Sequence, residues 1–185
     1  MRVPARRLPV SEARRAQITS ATITVLARRG YAGTSFEAIC RQAGLSSKRL
    51  ISYHFADKEE LMATVARVVR EEEAAFVRRA VGCLDERDFG GRLAAYIRAR
   101  LDFAAARPEH VRALWQIVCN TREAASDGFP AGLFAEGQRE RAFCTFDAGV
   151  MSIALRASIE ALALSDDPEG SADELVRLFE RATRP

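Results

Sequence analysis

A run of hydroxyl, basic and aromatic side chains over residues 46–58 has the chemistry needed to bind DNA. Arg49 could donate two hydrogen bonds to O6 and N7 of a guanine, and Lys48 could reach guanine or phosphate. Tyr53 and His54 follow with groups that suit phosphate or sugar. The candidate DNA contacts are Thr34, Ser35, Ser46, Ser47, Lys48, Arg49, Ser52, Tyr53, His54 and Lys58.

Two short helices and a tight turn would present these side chains. A T-x-x-E capping box at residues 34–37 predicts the start of one helix, which ends at Gly44. Leu45 would fill the angle between the helices, and Ser46 or Ser47 would cap the second. These are the dimensions of a helix-turn-helix. A plain helical hairpin has the same dimensions, so spacing alone leaves both interpretations open.

Other groups near this segment could reach the DNA backbone. Thr34 and Ser35 lie at a predicted helix N-terminus, where hydroxyls and free N–H groups suit a phosphate. Lys58 begins the next helix and would act likewise. Arg6 and Arg7 lie on an N-terminal arm broken by prolines. They could add minor-groove or backbone contacts, or the arm could be a flexible tail.

The charge distribution separates the front of the chain from the rest. Residues 1–61 hold 11 Lys or Arg against 5 Asp or Glu, whereas the other 124 residues hold 17 against 20. The net charge of +3 hides this asymmetry. A basic head on a mildly acidic body is typical of a nucleic-acid-binding domain joined to a regulatory or assembly body.

Helical patterns dominate the whole chain. Only 6 prolines occur in 185 residues, and no stretch alternates apolar and polar residues at strand spacing. The patterns predict an all-α fold of about nine helices, three short ones followed by six mostly longer ones. The predicted helices cover about residues 11–29, 34–44, 46–53, 58–81, 88–106, 109–125, 131–140, 147–164 and 171–183. The predicted division is a flexible basic arm (1–10), a three-helix domain with the helix-turn-helix (11–57) and a larger helical domain (58–185).

The front third of the chain resembles a known family. The residues that carry the resemblance are Arg15, Ile18, Ala21, Gly30, Tyr31, Thr34, Ser35, Ile39, Ala43, Gly44, Leu45, Ser46, Tyr53, His54, Phe55, Lys58 and Leu61. Over about residues 12–62 they resemble the N-terminal domain of the TetR (tetracycline repressor) family. The C-terminal part resembles this family in architecture, in residues 136–139 and in its final two helices.

The resemblance implies a sequence-specific DNA-binding transcriptional regulator. Such a regulator is by default a repressor, released from a near-palindromic operator by a small-molecule ligand. The resemblance also implies that the larger C-terminal domain binds this ligand and pairs two subunits as a homodimer.

The recognition segment departs from the family's pattern by one residue. Ten residues separate Gly44 from Phe55, where the common pattern has nine. Counted back from Phe55, Ser52 takes the place usually held by an aromatic residue, and the next two residues stay in register. The pattern therefore leaves open which residue of 47–49 faces a base edge.

The larger domain contains aromatic side chains that could line a ligand pocket. Such pockets are mostly apolar with a few placed polar groups, although aromatics at helical spacing more often form core. The candidate ligand-binding residues are Phe76, Tyr96, Arg100, Phe103, Trp115 and Cys119. Phe103 and Trp115 are the preferred lining residues, and we interpret His110 as a surface residue at a helix start.

Residues 147–183 predict two helices with wide apolar faces. Pairing of these helices about a two-fold axis would bury the faces in a four-helix bundle, or each subunit could bury them in its own core. We favour a homodimer because helix-turn-helix proteins normally read two half-sites about 34 Å apart.

The sequence offers little for chemistry other than binding. The four cysteines form no CxxC pair, and no histidine lies at ligand spacing from them. We therefore expect no metal, no cofactor and no disulfide framework, and this cysteine usage is typical of a protein in a reducing cytoplasm. No apolar run approaches the roughly 20 residues that span a bilayer, and the N-terminus lacks a signal peptide's apolar segment. We therefore expect a soluble cytoplasmic protein.

Two other function classes compete with the DNA-binding regulator. An enzyme would need a catalytic group, but only 2 histidines are present and neither a nucleophile elbow nor a phosphate-binding glycine loop occurs. We therefore expect a protein that is not an enzyme. The extra residue in the recognition segment keeps open a helical scaffold or interaction module without specific DNA binding.

Overall fold

The structure is a computed structural model that describes residues 10–121 and 128–185. The described residues form nine α-helices. The helices are α1 (Val10–Arg29), α2 (Phe36–Gln42), α3 (Arg49–His54), α4 (Lys58–Val81), α5 (Phe89–Ala106), α6 (Pro108–Asn120), α7 (Phe129–Arg139), α8 (Ala148–Ala163) and α9 (Ala172–Thr183). These residues contain no strand, which confirms the all-α prediction for the described chain. Arg6 and Arg7 of the predicted arm lie outside the described residues.

Two predicted helix lengths are wrong. The prediction of three short opening helices fails for α1, which has 20 residues. Helix α6 ends at Asn120, short of the predicted end near residue 125, which itself lies outside the described residues. Its first residue is Pro108, since a proline lacks only an N–H that the first helical turn leaves unpaired.

The described chain forms two compact units. The head unit comprises the described residues up to Val69, together with those from Arg112 to 121. The body unit comprises Arg70–Val111 and the described residues from 128 onward. The two units are groups of residues that lie close together in space. The predicted division between residues 57 and 58 instead separates a DNA-binding domain from a ligand-binding domain, and it stays a prediction.

In the head unit, α1 packs against α2 and α3. The side chains that build its core are apolar and almost fully enclosed. They include Ile18, Leu26, Ile39, Ile51, Phe55, Leu61, Met62, Val65, Ala113 and Ile117. Gly30 ends α1 with a φ of +70°, a left-handed conformation that costs little for glycine alone.

The caps of the short helices differ from the prediction. Ser35, not Thr34, caps α2, because its side-chain oxygen accepts a hydrogen bond from the Ala38 N–H at 3.2 Å. The predicted Thr34–Glu37 capping box is therefore wrong. Ser46 and Ser47 are the predicted caps of α3, but the residue at the cap position is Lys48. The Ser47 hydroxyl still accepts a hydrogen bond from the Arg49 N–H at 3.2 Å.

In the body unit, α5 is the central helix and packs against α7, α8 and α9. Its sequence is apolar on most sides, which is typical of a helix enclosed by others. Its buried residues are Phe89, Leu93, Ala94, Tyr96, Ile97, Ala99, Leu101, Phe103 and Ala104. None of the described helices is long and apolar enough to cross a membrane.

Residues 136–139 fix the turn after α7. A Cβ atom on Gly137 would lie 2.3 Å from the Phe143 ring, so only glycine permits this ring to pack there. Gln138 donates hydrogen bonds to the backbone oxygens of Cys144 and Phe146, both at 2.9 Å. This motif therefore has a structural role in the body unit.

Candidate nucleic-acid interface

The helix α3 presents a polar face to solvent. Arg49, Ser52 and Tyr53 are exposed, and their i, i+3, i+4 spacing places them on one side of the helix. Tyr53 is 82% exposed, which is unusual for so large an aromatic side chain. Lys48 is exposed one residue before the helix. Four of the predicted DNA contacts are therefore available to a partner at the same short helix.

The opposite face of α3 holds it in place. Ile51 and Phe55 are buried. Leu50 and Phe36 are partly buried. Cys40 is partly buried too, and its Sγ donates a hydrogen bond to the Leu45 backbone oxygen at 3.2 Å.

Arg15 of α1 anchors the end of α3. Its guanidinium carbon lies 4.2 Å from the centre of the Phe55 ring, and its nitrogens donate hydrogen bonds to the His54 backbone oxygen and to Glu60. The Ala56 N–H first, and then the Arg15 side chain, hold the pKa of Glu60 below its ordinary value. Three elements thus meet at one guanidinium, which fixes the direction of α3.

Thr34 and Ser35 have different environments. The Thr34 side chain is buried, and its hydroxyl donates a hydrogen bond to the Gly30 backbone oxygen at 2.7 Å. This placement contradicts the prediction that the Thr34 hydroxyl binds phosphate. Ser35 is exposed at the start of α2. Ser46 is also exposed, whereas Ser47 is partly buried.

Lys58, the first residue of α4, packs against the turn that follows α1. Its Nζ donates a hydrogen bond to the Tyr31 backbone oxygen at 3.2 Å and lies 4.3 Å from the centre of the Tyr31 ring. Lys58 and Tyr31 are both partly buried. The ammonium is therefore held in one place, and part of the side chain still reaches solvent. His54 is likewise partly buried, with its ring edge-on to Tyr53 at 5.1 Å.

Four predicted ligand-binding residues gather in the body unit. Phe76 packs edge-on against the buried Phe103, with ring centres 5.3 Å apart. Arg100 donates a hydrogen bond to the Tyr96 hydroxyl at 3.1 Å and forms an ion pair with Glu73, Nε to Oε1, at 2.7 Å. The Arg100 and Glu73 side chains are only 12% and 16% exposed. A charged pair among aromatic rings thus lies inside the body unit.

Two other predicted ligand-binding residues do not join this cluster. Trp115 and Cys119 belong to the head unit, and both are exposed, Trp115 to 41%. His110 is not a plain surface residue, because its side chain is 24% exposed and its Nε2 lies 3.5 Å from Oε2 of Glu72.

Comparison with known proteins identifies the front of the chain. Residues 18–65 match the sequence profile described as "Bacterial regulatory proteins, tetR family". Residues 18–65 are therefore similar to a tetR-family domain. HTH-type transcriptional regulator BetI of Burkholderia cenocepacia is 34% identical over 92 residues, covering 49% of this chain and 46% of that protein. The chain therefore matches about half the length of this curated relative.

The fold of the tetR-family domain and the helices that follow it occurs in solved structures. A TetR-like transcriptional regulator from Rhodococcus sp. RHA1 has a TM-score of 0.73 and 22% identity, with 95% of this chain and 98% of that chain covered. A TetR-family transcriptional regulator from Haemophilus influenzae has a TM-score of 0.73 and 16% identity, with 96% and 100% covered. At these identities the likeness is one of fold.

Sequence reasoning missed three residues that hold their surroundings in place, namely Arg15 and Gln116 in the head unit and Glu73 in the body unit. Arg15 belonged to the family pattern but had no assigned role, and Gln116 and Glu73 were not considered. Arg15 and Gln116 act on backbone groups far away in sequence, which no local pattern reveals. Glu73 had a detectable signal, because an acidic residue on the same stretch as Phe76 is a natural partner for Arg100.

Proposed function

We propose that the protein is a sequence-specific DNA-binding transcription regulator that inserts α3 into the major groove. The observation that carries this proposal is the two-sided character of α3. Arg49, Ser52 and Tyr53 face solvent together, while Ile51 and Phe55 are buried behind them. A recognition helix needs such an arrangement, because its outer side chains must reach base edges while the inner ones set its direction.

Each exposed side chain has a separate task in this proposal. Arg49 binds a guanine through O6 and N7, and Lys48 reaches guanine or phosphate. Tyr53 and His54 contact phosphate or sugar, and Lys58 contacts phosphate. Ser35, Ser46, Ser47 and Ser52 supply further hydroxyl groups. Thr34 supports the turn instead, because its hydroxyl is already used inside the protein.

The body unit holds the proposed small-molecule site, and the regulator is proposed to be a repressor. Phe76, Tyr96, Arg100 and Phe103 combine aromatic walls with a charged pair, which suits a ligand with both apolar and polar groups. Trp115 and Cys119 are left out of this site, because they are exposed residues of the head unit. Ligand binding would release DNA only by favouring one of two states of the regulator, typically by 5–150-fold.

A homodimer through residues 147–183 completes the proposal. Val150 and Ile153 of α8 are 65% and 61% exposed, and Leu178 of α9 is 57% exposed. Leu155 and Ile159 on the other side of α8 are buried. The second apolar side of α8 thus remains on the surface of one subunit, where a two-fold contact would cover it.

Genomic DNA provides the direct test. The purified full chain is incubated with fragmented DNA of its source at moderate salt, and the retained fragments are sequenced. The proposal predicts enrichment of a short near-palindrome in wild-type fractions and its loss with Arg49→Ala. Retention of fragments without a shared sequence would contradict specific recognition and favour a scaffold or interaction module.

A further inference from the structure

We propose that Gln116 of α6 is a positioning residue for DNA binding. It holds the turn after α1 and, through Tyr31, sets the place of the Lys58 ammonium. All three residues belong to the head unit. This inference rests on the proposed function, since Lys58 is there a phosphate contact.

The central contact joins residues that are 85 positions apart in the sequence. The Tyr31 backbone N–H donates a hydrogen bond to the Gln116 side-chain oxygen at 3.0 Å. The residues just past the end of a helix commonly need partners for their backbone groups. A side-chain acceptor from α6 meets this need, and the approach of an N–H selects the oxygen of the amide rather than its nitrogen.

Gly30 shows how closely Gln116 approaches this turn. A Cβ atom on Gly30 would lie 3.2 Å from the Gln116 side-chain oxygen and 3.8 Å from its Cδ. The φ of Gly30 is +70°, so the turn has both the conformation and the space of a glycine. The amide of Gln116 is therefore hydrogen-bonded to Tyr31 and occupies the space that a side chain at position 30 would need.

Tyr31 passes this constraint to Lys58. Its backbone N–H is held by Gln116, and its backbone oxygen accepts the hydrogen bond from Lys58 Nζ at 3.2 Å. Its ring also lies 4.3 Å from the same Nζ, a distance suited to a cation–π contact. Movement of the Tyr31 main chain would therefore displace both groups that hold the ammonium.

Packing of α6 does not by itself require an amide at position 116. Ala113 and Ile117 of the same helix are fully buried and supply the apolar contacts. Gln116 is only partly buried, so its contribution is the hydrogen bond. Without this bond, the ammonium would be less well placed for a phosphate, and affinity would fall for every DNA sequence alike.

The experiment compares four variants of the full chain with the wild type. Gln116→Leu removes the acceptor at similar size, and Gln116→Asn withdraws it by one methylene. Asn120→Leu is the matched control, because it removes an exposed amide one turn later on α6 that bonds to the Gln116 backbone oxygen, at 2.8 Å, and not to the turn after α1. Lys58→Ala removes the ammonium itself. Affinity is measured for a duplex recovered from genomic DNA and for its scrambled version. The salt concentration is varied about fourfold, from about 50 to about 200 mM.

We expect Gln116→Leu to lower the affinity for both duplexes by the same factor, about threefold to tenfold. The slope of log affinity against log salt concentration should become shallower by up to about one, as on loss of one phosphate contact. Gln116→Asn should fall between this variant and the wild type, and Asn120→Leu should match the wild type. In the Lys58→Ala background, Gln116→Leu should have no further effect. A merely structural residue would instead lower the unfolding midpoint without changing the salt slope.

Three results would overturn the inference. They are an unchanged affinity and slope in Gln116→Leu and Gln116→Asn, a full additional loss in the Lys58→Ala background, or an equal loss in Asn120→Leu. If Gln116→Leu does not fold, the comparison of Gln116→Asn with Asn120→Leu decides. Failure of the proposed function looks different, because the wild type would then bind both duplexes equally or not at all.

Discussion

The two units use arginine in opposite ways. Arg49 of the head unit is exposed on α3, whereas Arg100 of the body unit is enclosed and paired with Glu73. Both residues stand on helices among apolar neighbours, and their sequence contexts look alike. The difference lies in the helix, because α3 has one buried face and α5 is buried on most sides. Arg49, on the exposed face of α3, can therefore serve a partner, whereas Arg100, on a buried side of α5, must be neutralised within the protein.

A charge placed on the proposed dimer surface should have the largest effect, on subunit association. This surface belongs to the body unit, yet its apolar side chains are exposed. Ile153→Asp would oppose two equal charges across the two-fold axis, which costs several kcal/mol of association free energy. We expect a monomer by sedimentation or light scattering, with unchanged helical content and an unfolding midpoint that no longer depends on protein concentration. Leu84→Asp is the matched control, because Leu84 is also an exposed apolar residue but lies outside α8 and α9. A dimer that survives Ile153→Asp would place the interface elsewhere.

The enclosed ion pair should show the next largest effect. Arg100→Ala removes the cation that faces the Glu73 carboxylate and should lower the free energy of unfolding by about 3 kcal/mol, the lower end for a buried pair because both side chains keep some exposure. The measurement is urea denaturation. A double variant, Arg100→Met with Glu73→Leu, removes both charges and should recover most of this loss. If Arg100→Ala is no less stable than the wild type, Arg100 is not a structural ion-pair partner and the contrast with Arg49 fails.

The exposed arginine should change binding rather than stability. Arg49→Ala should lose about 1–3 kcal/mol of discrimination at one base pair, while Lys58→Ala weakens all sequences about equally. Both are measured by fluorescence anisotropy on single-base variants of a recovered site. An unchanged sequence preference in Arg49→Ala would mean that another side chain of α3 reads the bases.

The anchor of α3 should show the smallest effect, and only within a pH window. The pKa of Glu60 is lowered in the folded protein, first by the Ala56 N–H and then by Arg15. Its stabilising contribution is therefore present above the unfolded pKa, near 4.5, and is lost as the pH falls through the lower folded value. Compared with the wild type, Glu60→Gln should have a lower unfolding midpoint at pH about 7, and the difference should shrink below pH about 4. Glu59→Gln, an exposed neighbour, is the control. A difference that stays constant with pH would contradict this role of the Glu60 charge.

Much of the fold follows from local sequence signals. Gly30 marks the end of α1, Asp57 caps α4 through the Glu60 N–H at 2.7 Å, and Asp88 and Asp147 cap α5 and α8. These signals act within four residues along the chain, so the sequence contains them in full. Helix α6 shows the limit, because neither a glycine nor a proline near Asn120 marks the end of this helix in the sequence.

The candidate site was harder to predict, because exposure and pairing depend on distant residues. The sequence predicts Thr34 as the cap of α2, but Ser35 takes this role, since the Thr34 hydroxyl reaches back to Gly30. The same limit explains why Trp115 was expected beside Phe103. Both are aromatic residues at helical spacing, and only tertiary contacts assign them to different units.

Specific recognition of DNA by the head unit is the central claim, and a titration tests it most directly. The full wild-type chain is titrated onto a recovered near-palindrome and onto its scrambled version across a range of salt concentrations. We predict a steep loss of affinity with salt for both duplexes, and binding to the near-palindrome that is tighter by about 10³-fold or more at physiological salt. Equal affinities for the two duplexes, whatever the salt slope, would contradict the assignment of α3 as a reader of base sequence.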